Sequence, residues 1–310
     1  MLSHIIVSSD GSEASDRMVE CLEGLKRVGS HEAALIHVFN VRDVGGLYDS
    51  LQEYMLPKLE KQAGILRQAG FQVDVQTPLG FPSYEINKLA RQRSASLVVV
   101  GSHGASMTTE ILLGSTAQAI LQNALLPVLL VRLEITEENG GRRCRVICED
   151  MFQHILFPTD FSDNAEHALL YLEHIVRETK SRVTLLHVQD KTKIEKHLKH
   201  RLAEFNEIDA ERLEGMKLRL EQCGAVSVHT EIPYGSPTQI ILERARANNF
   251  SLILMGSQGK GFIREIFLGS VANNLARLAP LPVLFIPAVR QQARALRGGD
   301  NNGDQCGKAS

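Results

Sequence analysis

The motif G-x2-G-x9-G-S occurs twice with its internal spacing unchanged, at Gly101, Gly104, Gly114 and Ser115 and again 155 positions later at Gly256, Gly259, Gly269 and Ser270. A chain that repeats a pattern at this distance must fold as two similar units. Asp10-Gly-Ser matches Asp160-Phe-Ser and His37-Val38 matches His187-Val188 at an offset of 150, whereas Gly80-Phe-Pro82 matches Gly235-Ser-Pro237 and Pro127-Val128 matches Pro282-Val283 at 155. The slip of five residues falls between the second and third strands, so the second unit carries a longer helix or loop there. With 310 residues in all, each unit is long enough for its own core.

In the first unit a short apolar run, Ile5 to Ser8, leads to the turn Asp10-Gly11-Ser12, and Ser12 is placed to cap a helix from Ala14 to Val28. A strand from Ala33 to Phe39, a long helix from Leu51 to Ala69, an alternating strand from Phe71 to Gln76 and a proline-started helix from Pro82 to Arg93 follow. Leu97 to Val100 then enters the first glycine motif, and a helix from Ser115 to Asn123 leads to a last strand, Val128 to Val131. The second unit repeats the order with strands near Ile155 to Phe157, Arg182 to Val188, Val226 to Glu231, Leu252 to Met255 and Val283 to Ile286. Short, wholly apolar strands alternating with helices predict an α/β fold: two tandem open parallel five-stranded sheets, ordered 3-2-1-4-5, with helices on both faces. The expected domains are residues 1–133 and 151–289. Between them the polar stretch Glu134 to Gly141 opens a linker reaching residue 150, and Arg290 to Ser310 is expected to be a disordered tail. Each unit ends in an apolar strand at a sheet edge, which predicts that the two units pair through those edges and that the pair could dimerise again.

In sheets of this order ligands bind at the carboxyl ends of the strands, between strands one and four. The loop after strand one carries Asp10 or Asp160, and the loop after strand four carries the glycine motif, so both face one crevice. Glycine spares a ligand the bulk of a Cβ, and a helix starting at Gly-Ser offers unpaired N–H groups to phosphate. A carboxylate at the other side of the crevice can accept hydrogen bonds from a base or ribose. A nucleotide is the simplest ligand with both ends.

These residues resemble the universal stress protein family: the doubled G-x2-G-x9-G-S, the opening PTDFS at Pro158 to Ser162, LLHV at Leu185 to Val188, the G-x-P before the third helix and the closing PVL. The resemblance covers both halves, which makes this a tandem member with the Rossmann-like, nucleotide-binding α-hydrolase type of fold, and it implies a regulatory role in stress response. The ATP-binding branch of that family wraps phosphates with the glycine loop. Carried to matching positions, this implicates Pro158, Thr159, Asp160, Val188, Met255, Gly256, Ser257, Gly259, Gly269, Ser270 and Val271 in the second unit. In the first it implicates Asp10, Val38, Gly101, Ser102, Gly104, Gly114, Ser115 and Thr116. The implied ligand is ATP or AMP, with Mg²⁺ when it is a triphosphate. The first unit departs from the pattern at Ser8-Ser9 and Val100, and its loop lacks the cations Lys260 and Arg264 of the second; tighter binding is therefore expected in the second.

Net charge is −2 and neither half has the basic excess expected of a nucleic-acid binder, which argues against such a partner. No run reaches a membrane span, and five scattered cysteines (Cys21, Cys144, Cys148, Cys223, Cys306) suit reduced thiols, so a cytoplasmic protein without membrane attachment is expected. Cys144 and Cys148 lack the second pair a zinc site needs, and no metal site is expected. His37 and His187 are read as packed, hydrogen-bonded strand-end residues, and Lys191 to Arg201 as a solvated helix face. Glu110 and Glu265 are equivalent across the copies and are read as helix-surface charges. The sequence carries no G-x4-G-K-[S/T] and fixes no catalytic base, so the reading is a nucleotide-binding regulator and not an enzyme. A slow ATPase and an interaction module without nucleotide are the alternatives.

Overall fold

A computed structural model describes residues 1–102, 113–138, 141–146, 150–195, 198–247, 249–259 and 268–288, with backbone alone for 133–138 and 141–146. The first half contains strands β1 (His4–Ser8), β2 (Glu32–Ile36), β3 (Gln72–Gln76), β4 (Leu97–Gly101) and β5 (Val128–Val131). Helices α1 (Glu13–Glu20), α2 (Tyr48–Gln68), α3 (Pro82–Gln92) and α4 (Ser115–Gln122) connect them. The second half repeats this with β6 (His154–Pro158), α5 (Asp163–Thr179), β7 (Arg182–Leu186), α6 (Leu202–Gln222), β8 (Ser227–Glu231), α7 (Pro237–Ala247), β9 (Leu252–Gly256), α8 (Ser270–Leu278) and β10 (Val283–Ile286).

The strands form one ten-stranded sheet, β8-β7-β6-β9-β10-β5-β4-β1-β2-β3, in which the two expected five-stranded sheets are joined through their last strands. Within each half all pairs are parallel and run third, second, first, fourth, fifth. The halves meet where β10 pairs antiparallel with β5, in the register Val283 to Leu130, Leu284 to Leu129 and Phe285 to Val128. The reason is the apolar edge itself: all four residues of each strand are buried, and each edge satisfies the other's backbone groups.

Side chains of the joint alternate between two cores, each continuous across both halves. Leu129, Val131, Leu284 and Ile286 join the face covered by α1, α2, α5 and α6, and Val128, Leu130, Val283 and Phe285 join the face covered by α3, α4, α7 and α8. Polar contacts reinforce the joint. Arg27 pairs with Asp150 at 2.9 Å, and the His174 ring lies 3.1 Å from the Val28 carbonyl.

Two local readings change. The helix expected from Ala14 to Val28 is α-helical only to Glu20 and continues as 3₁₀ from Cys21 to Val28, around Gly24, a poor helix former. The expected linker is an antiparallel ribbon, Leu133–Glu138 against Gly141–Val146, closing with Glu138 opposite Gly141. The sequence Asn139-Gly140 between them is a strong hairpin signal that composition alone overlooks. The expected tail, Gly104, Lys260, Arg264, Glu110, Glu265, Cys148 and Cys306 lie outside the described residues. Among the described residues no helix is long and apolar enough to cross a membrane.

Candidate functional site

In the second half the carboxyl ends of β6, β7 and β9 open onto a cavity of about 740 Å³. All eleven second-half residues singled out above line it, from Pro158, Thr159 and Asp160 after β6, through Val188 after β7, to Met255, Gly256, Ser257 and Gly259 after β9 and Gly269, Ser270 and Val271 at the start of α8. The volume is that of a small-molecule site. A smaller cavity of about 220 Å³, lined by His4, Glu32, Asp74 and Arg93, lies at the amino ends of the first-half strands, the wrong end for a ligand of this fold.

The cradle is built from backbone. Gly269 N–H donates to the Ser257 carbonyl at 2.7 Å, which folds the loop back so that α8 starts beside the end of β9. Gly269 is the N-cap and supplies no side-chain bond, so the first N–H groups of α8 are uncapped, whereas α1 and α5 are capped by Ser12 and Ser162. Ser257 Oγ and Asn164 Oδ1 are buried without a hydrogen-bond partner. Such groups ordinarily find one.

None of the described glycines of the motif has a positive φ; they are needed for space. A Cβ on Gly256 would lie 2.8 Å from Asn164 Nδ2, and one on Gly259 2.6 Å from Asp160 Oδ2. A Cβ on Gly269 would lie 3.3 Å from the Ser257 carbonyl oxygen. Part of what the spacing suggested about ligand approach is therefore protein packing, which brings Asp160 against the glycine loop.

The other wall was not legible as such. His187 Nδ1 lies 2.9 Å from the Thr159 carbonyl, so it donates there, and His187 Nε2 lies 3.3 Å from Asp209 Oδ2 on α6. Asp209 also accepts from Gln189 Nε2 at 2.9 Å and from Arg212 Nη1 at 3.3 Å. The Arg212 guanidinium lies over the Phe161 ring, which in turn packs on His187. Phe161 is held at φ 56°, where its counterpart Gly11 has 68°; a phenylalanine in this region marks a constrained loop. The packed-histidine reading of His37 and His187 holds, since His37 Nδ1 makes the same 2.9 Å contact with the Ser9 carbonyl. Lys193, read as part of a solvated face, lines the cavity. The signal for Asp209 was in the sequence: it occupies the buried stripe of α6 with Leu213, Met216 and Leu220, where a carboxylate needs a reason.

The first-half residues are assembled differently. Asp10 Oδ1 accepts from Ser12 N at 3.1 Å and from the hydroxyls of Ser12 and Ser15, each at 2.6 Å. Ala165 stands in the place of Ser15 in the second half, so Asp160 lacks that donor. Met55 and Lys58 of α2 pack over Gly11, with Met55 Sδ 2.5 Å from the position a Cβ would take. Gly101 ends β4, Ser102 is fully buried, and Gly114 N–H donates to the Ser102 carbonyl at 3.0 Å ahead of Ser115 and Thr116, which repeats the loop closure. Val38 packs against the core beside that loop.

The profile of the universal stress protein family matches residues 1–132 and 151–287, which is nearly all of both halves. The chain belongs to the universal stress protein family. It is a tandem member, each half one family unit. Universal stress protein MJ0577 of Methanocaldococcus jannaschii is 34% identical over 155 residues, covering 44% of this chain and 95% of that protein. A universal stress protein of Mycolicibacterium smegmatis is 28% identical over 219 residues, 68% of each chain. The crystal structure of a universal stress protein from Archaeoglobus fulgidus superposes with a TM-score of 0.68 at 26% identity, covering 92% of this chain and 98% of that one.

Proposed function

We propose that the second half binds an adenine nucleotide, ATP or AMP, and that the protein acts as a nucleotide-responsive regulator in a stress response. The observation that carries this reading is the convergence on one cavity of an uncapped α8 N-terminus, the orphaned Ser257 hydroxyl and a carboxylate, Asp160. An uncapped N-terminus favours phosphate. The apolar strand-end residues Val188 and Met255, with Ile241, give a base a surface to lie on. The choice of adenine rests on the resemblance of both motifs to the ATP-binding branch of the family; Mg²⁺ would enter with a triphosphate. Turnover is proposed to be slow or nil, because His187 is engaged with Thr159 and Asp209 and the sequence holds no G-x4-G-K-[S/T].

The first half is proposed to bind more weakly or to take a less charged nucleotide, since Met55 covers Gly11 and Asp10 is occupied by serine donors. The test is nucleotide content and melting of protein freed of endogenous ligand. At about 100 times Kd, binding adds about 2.7 kcal/mol, so saturating ATP should raise Tm by several degrees. No shift with ATP, ADP or AMP would remove the nucleotide reading in favour of an interaction module. Turnover near the ~10 s⁻¹ of dedicated enzymes would remove the regulator.

A further inference from the structure

Arg132, the residue after β5, leaves the first half and buries its guanidinium in the second. It is 5% exposed, and its Nη2 donates to the carbonyls of Leu275 at 3.3 Å and Ala276 at 2.7 Å, in the last turn of α8. Its Nε has no partner, and among the described residues no carboxylate pairs with it. A buried cation without a counter-charge is costly and calls for a reason. Desolvation alone pushes its pKa down to about 10.

The sequence explains why α8 accepts this donor. The carbonyl of Ala276 would pair with the N–H of residue 280, but residue 280 is proline and has none. Ala279 N–H takes the Leu275 carbonyl at 2.9 Å, and the Ala276 carbonyl is left for Arg132. The corresponding helix of the first half differs at its end: Asn123 donates its Nδ2 to the Ala119 carbonyl at 2.8 Å and its backbone N–H to the Ala119 and Ile120 carbonyls, each at 3.2 Å, and leucine, not proline, stands at residue 125. The residue that matches Arg132 across the repeat is Pro287, which has no side-chain donor to return the contact. The joint between the halves is therefore two-fold in its strands and one-way in this contact.

We propose that Arg132 makes the phosphate end of the second-half cavity depend on the first half, by holding α8 at its C-terminal carbonyls and so fixing where its N-terminus, Gly269 and Ser270, stands. This rests on the nucleotide reading above for its ligand but not for the grip itself. A nine-residue helix moves as a rod of about 13 Å, so a hold on its last turn sets where its first turn stands. Arg132 is a positioning residue; it touches neither cavity nor ligand.

The test uses the full chain with Arg132→Met, which keeps bulk and drops charge, and Arg132→Lys, which keeps charge and drops the fork. Calorimetry with ATP, AMP and adenosine is paired with amide hydrogen exchange in the free protein at Gly269 and Asn273, whose N–H groups bond the Ser257 and Gly269 carbonyls at 2.7 and 2.8 Å. In Arg132→Met, Kd should rise about tenfold for ATP, the scale of one charge-assisted hydrogen bond to phosphate lost when the N-terminus shifts. It should rise less for AMP and stay within about twofold for adenosine, while exchange at Gly269 and Asn273 accelerates several-fold. Arg132→Lys should fall between, and it carries the test alone if the methionine variant does not fold. Unchanged exchange, or a loss as large for adenosine as for ATP, would overturn the proposal. If the wild type binds none of the three, the nucleotide reading fails and exchange alone decides the grip.

Discussion

Ser257 carries a hydroxyl that the free protein does not use. If that hydroxyl belongs to a ligand, Ser257→Ala should leave the ligand-free protein as stable or raise its stability by up to about 1 kcal/mol, since removing an unmade buried bond relieves desolvation. The same change should shrink the Tm shift given by ATP. Urea melts with and without nucleotide check both arms, and a destabilised free protein would mean that the hydroxyl has a structural partner. Two histidines set a second expectation. Burial holds His37 below its ordinary pKa, the Ser9 carbonyl and Asp10 offsetting part of this, and burial with Arg182 does the same to His154. Below the unfolded value near 6.5 the unfolded chain takes up protons that the folded chain refuses. Stability is therefore full above that value and falls as pH drops through it, by at most about 1.4 kcal/mol per pH unit for each proton. Denaturation midpoints between pH 7.5 and 5.5 should show the fall, and His37→Gln, which keeps an N–H for the Ser9 carbonyl, should flatten it; an unchanged slope would exclude His37. Glycines and acids were legible at this scale because spacing repeats them, but their reasons were not. Gly256 and Gly259 are shaped by Asn164 and Asp160, contacts that no spacing records.

Helix α6 decides what the two copies do differently. Its inner stripe runs Asp209, Leu213, Met216 and Leu220, and the matching stripe of α2 holds Met55, Leu59, Gln62 and Leu66. Aspartate against methionine at one position turns a lid over Gly11 into an acceptor for His187, Gln189 and Arg212. Asp209→Leu would complete the apolar stripe and improve helix propensity. It should nonetheless cost about 1–3 kcal/mol, because buried donors lose their acceptor, and it should weaken nucleotide binding by freeing the His187 ring; a more stable variant in urea would show that the stripe outweighs the network. The elements themselves were readable because each strand is a short apolar run and each helix has a start signal. The 3₁₀ continuation after α1 and the ribbon at 133–146 were missed, since Gly24 and Asn139-Gly140 act locally within segments whose average composition points elsewhere.

The joint of β5 and β10 organises the whole molecule. A fragment of residues 151–288 would expose Val283 to Ile286, four wholly apolar edge residues. It should recover a partner by pairing β10 with β10 of a second copy. Sedimentation should find a dimer, and Leu284→Lys should return it to monomer or to aggregate; a stable monomeric wild-type fragment would show that the edge needs no cover. The expected pairing of the halves could be read from the two apolar edges, but their fusion into one sheet with two shared cores required the register of Leu284 on Leu129. That register has a directional outcome. Because β10 runs against β5, the strands of one half point up where those of the other point down, so the carboxyl strand ends at Gly101 and at Gly256 lie on opposite rims of the sheet. A flat surface laid against one rim therefore meets the carboxyl strand ends of one half alone.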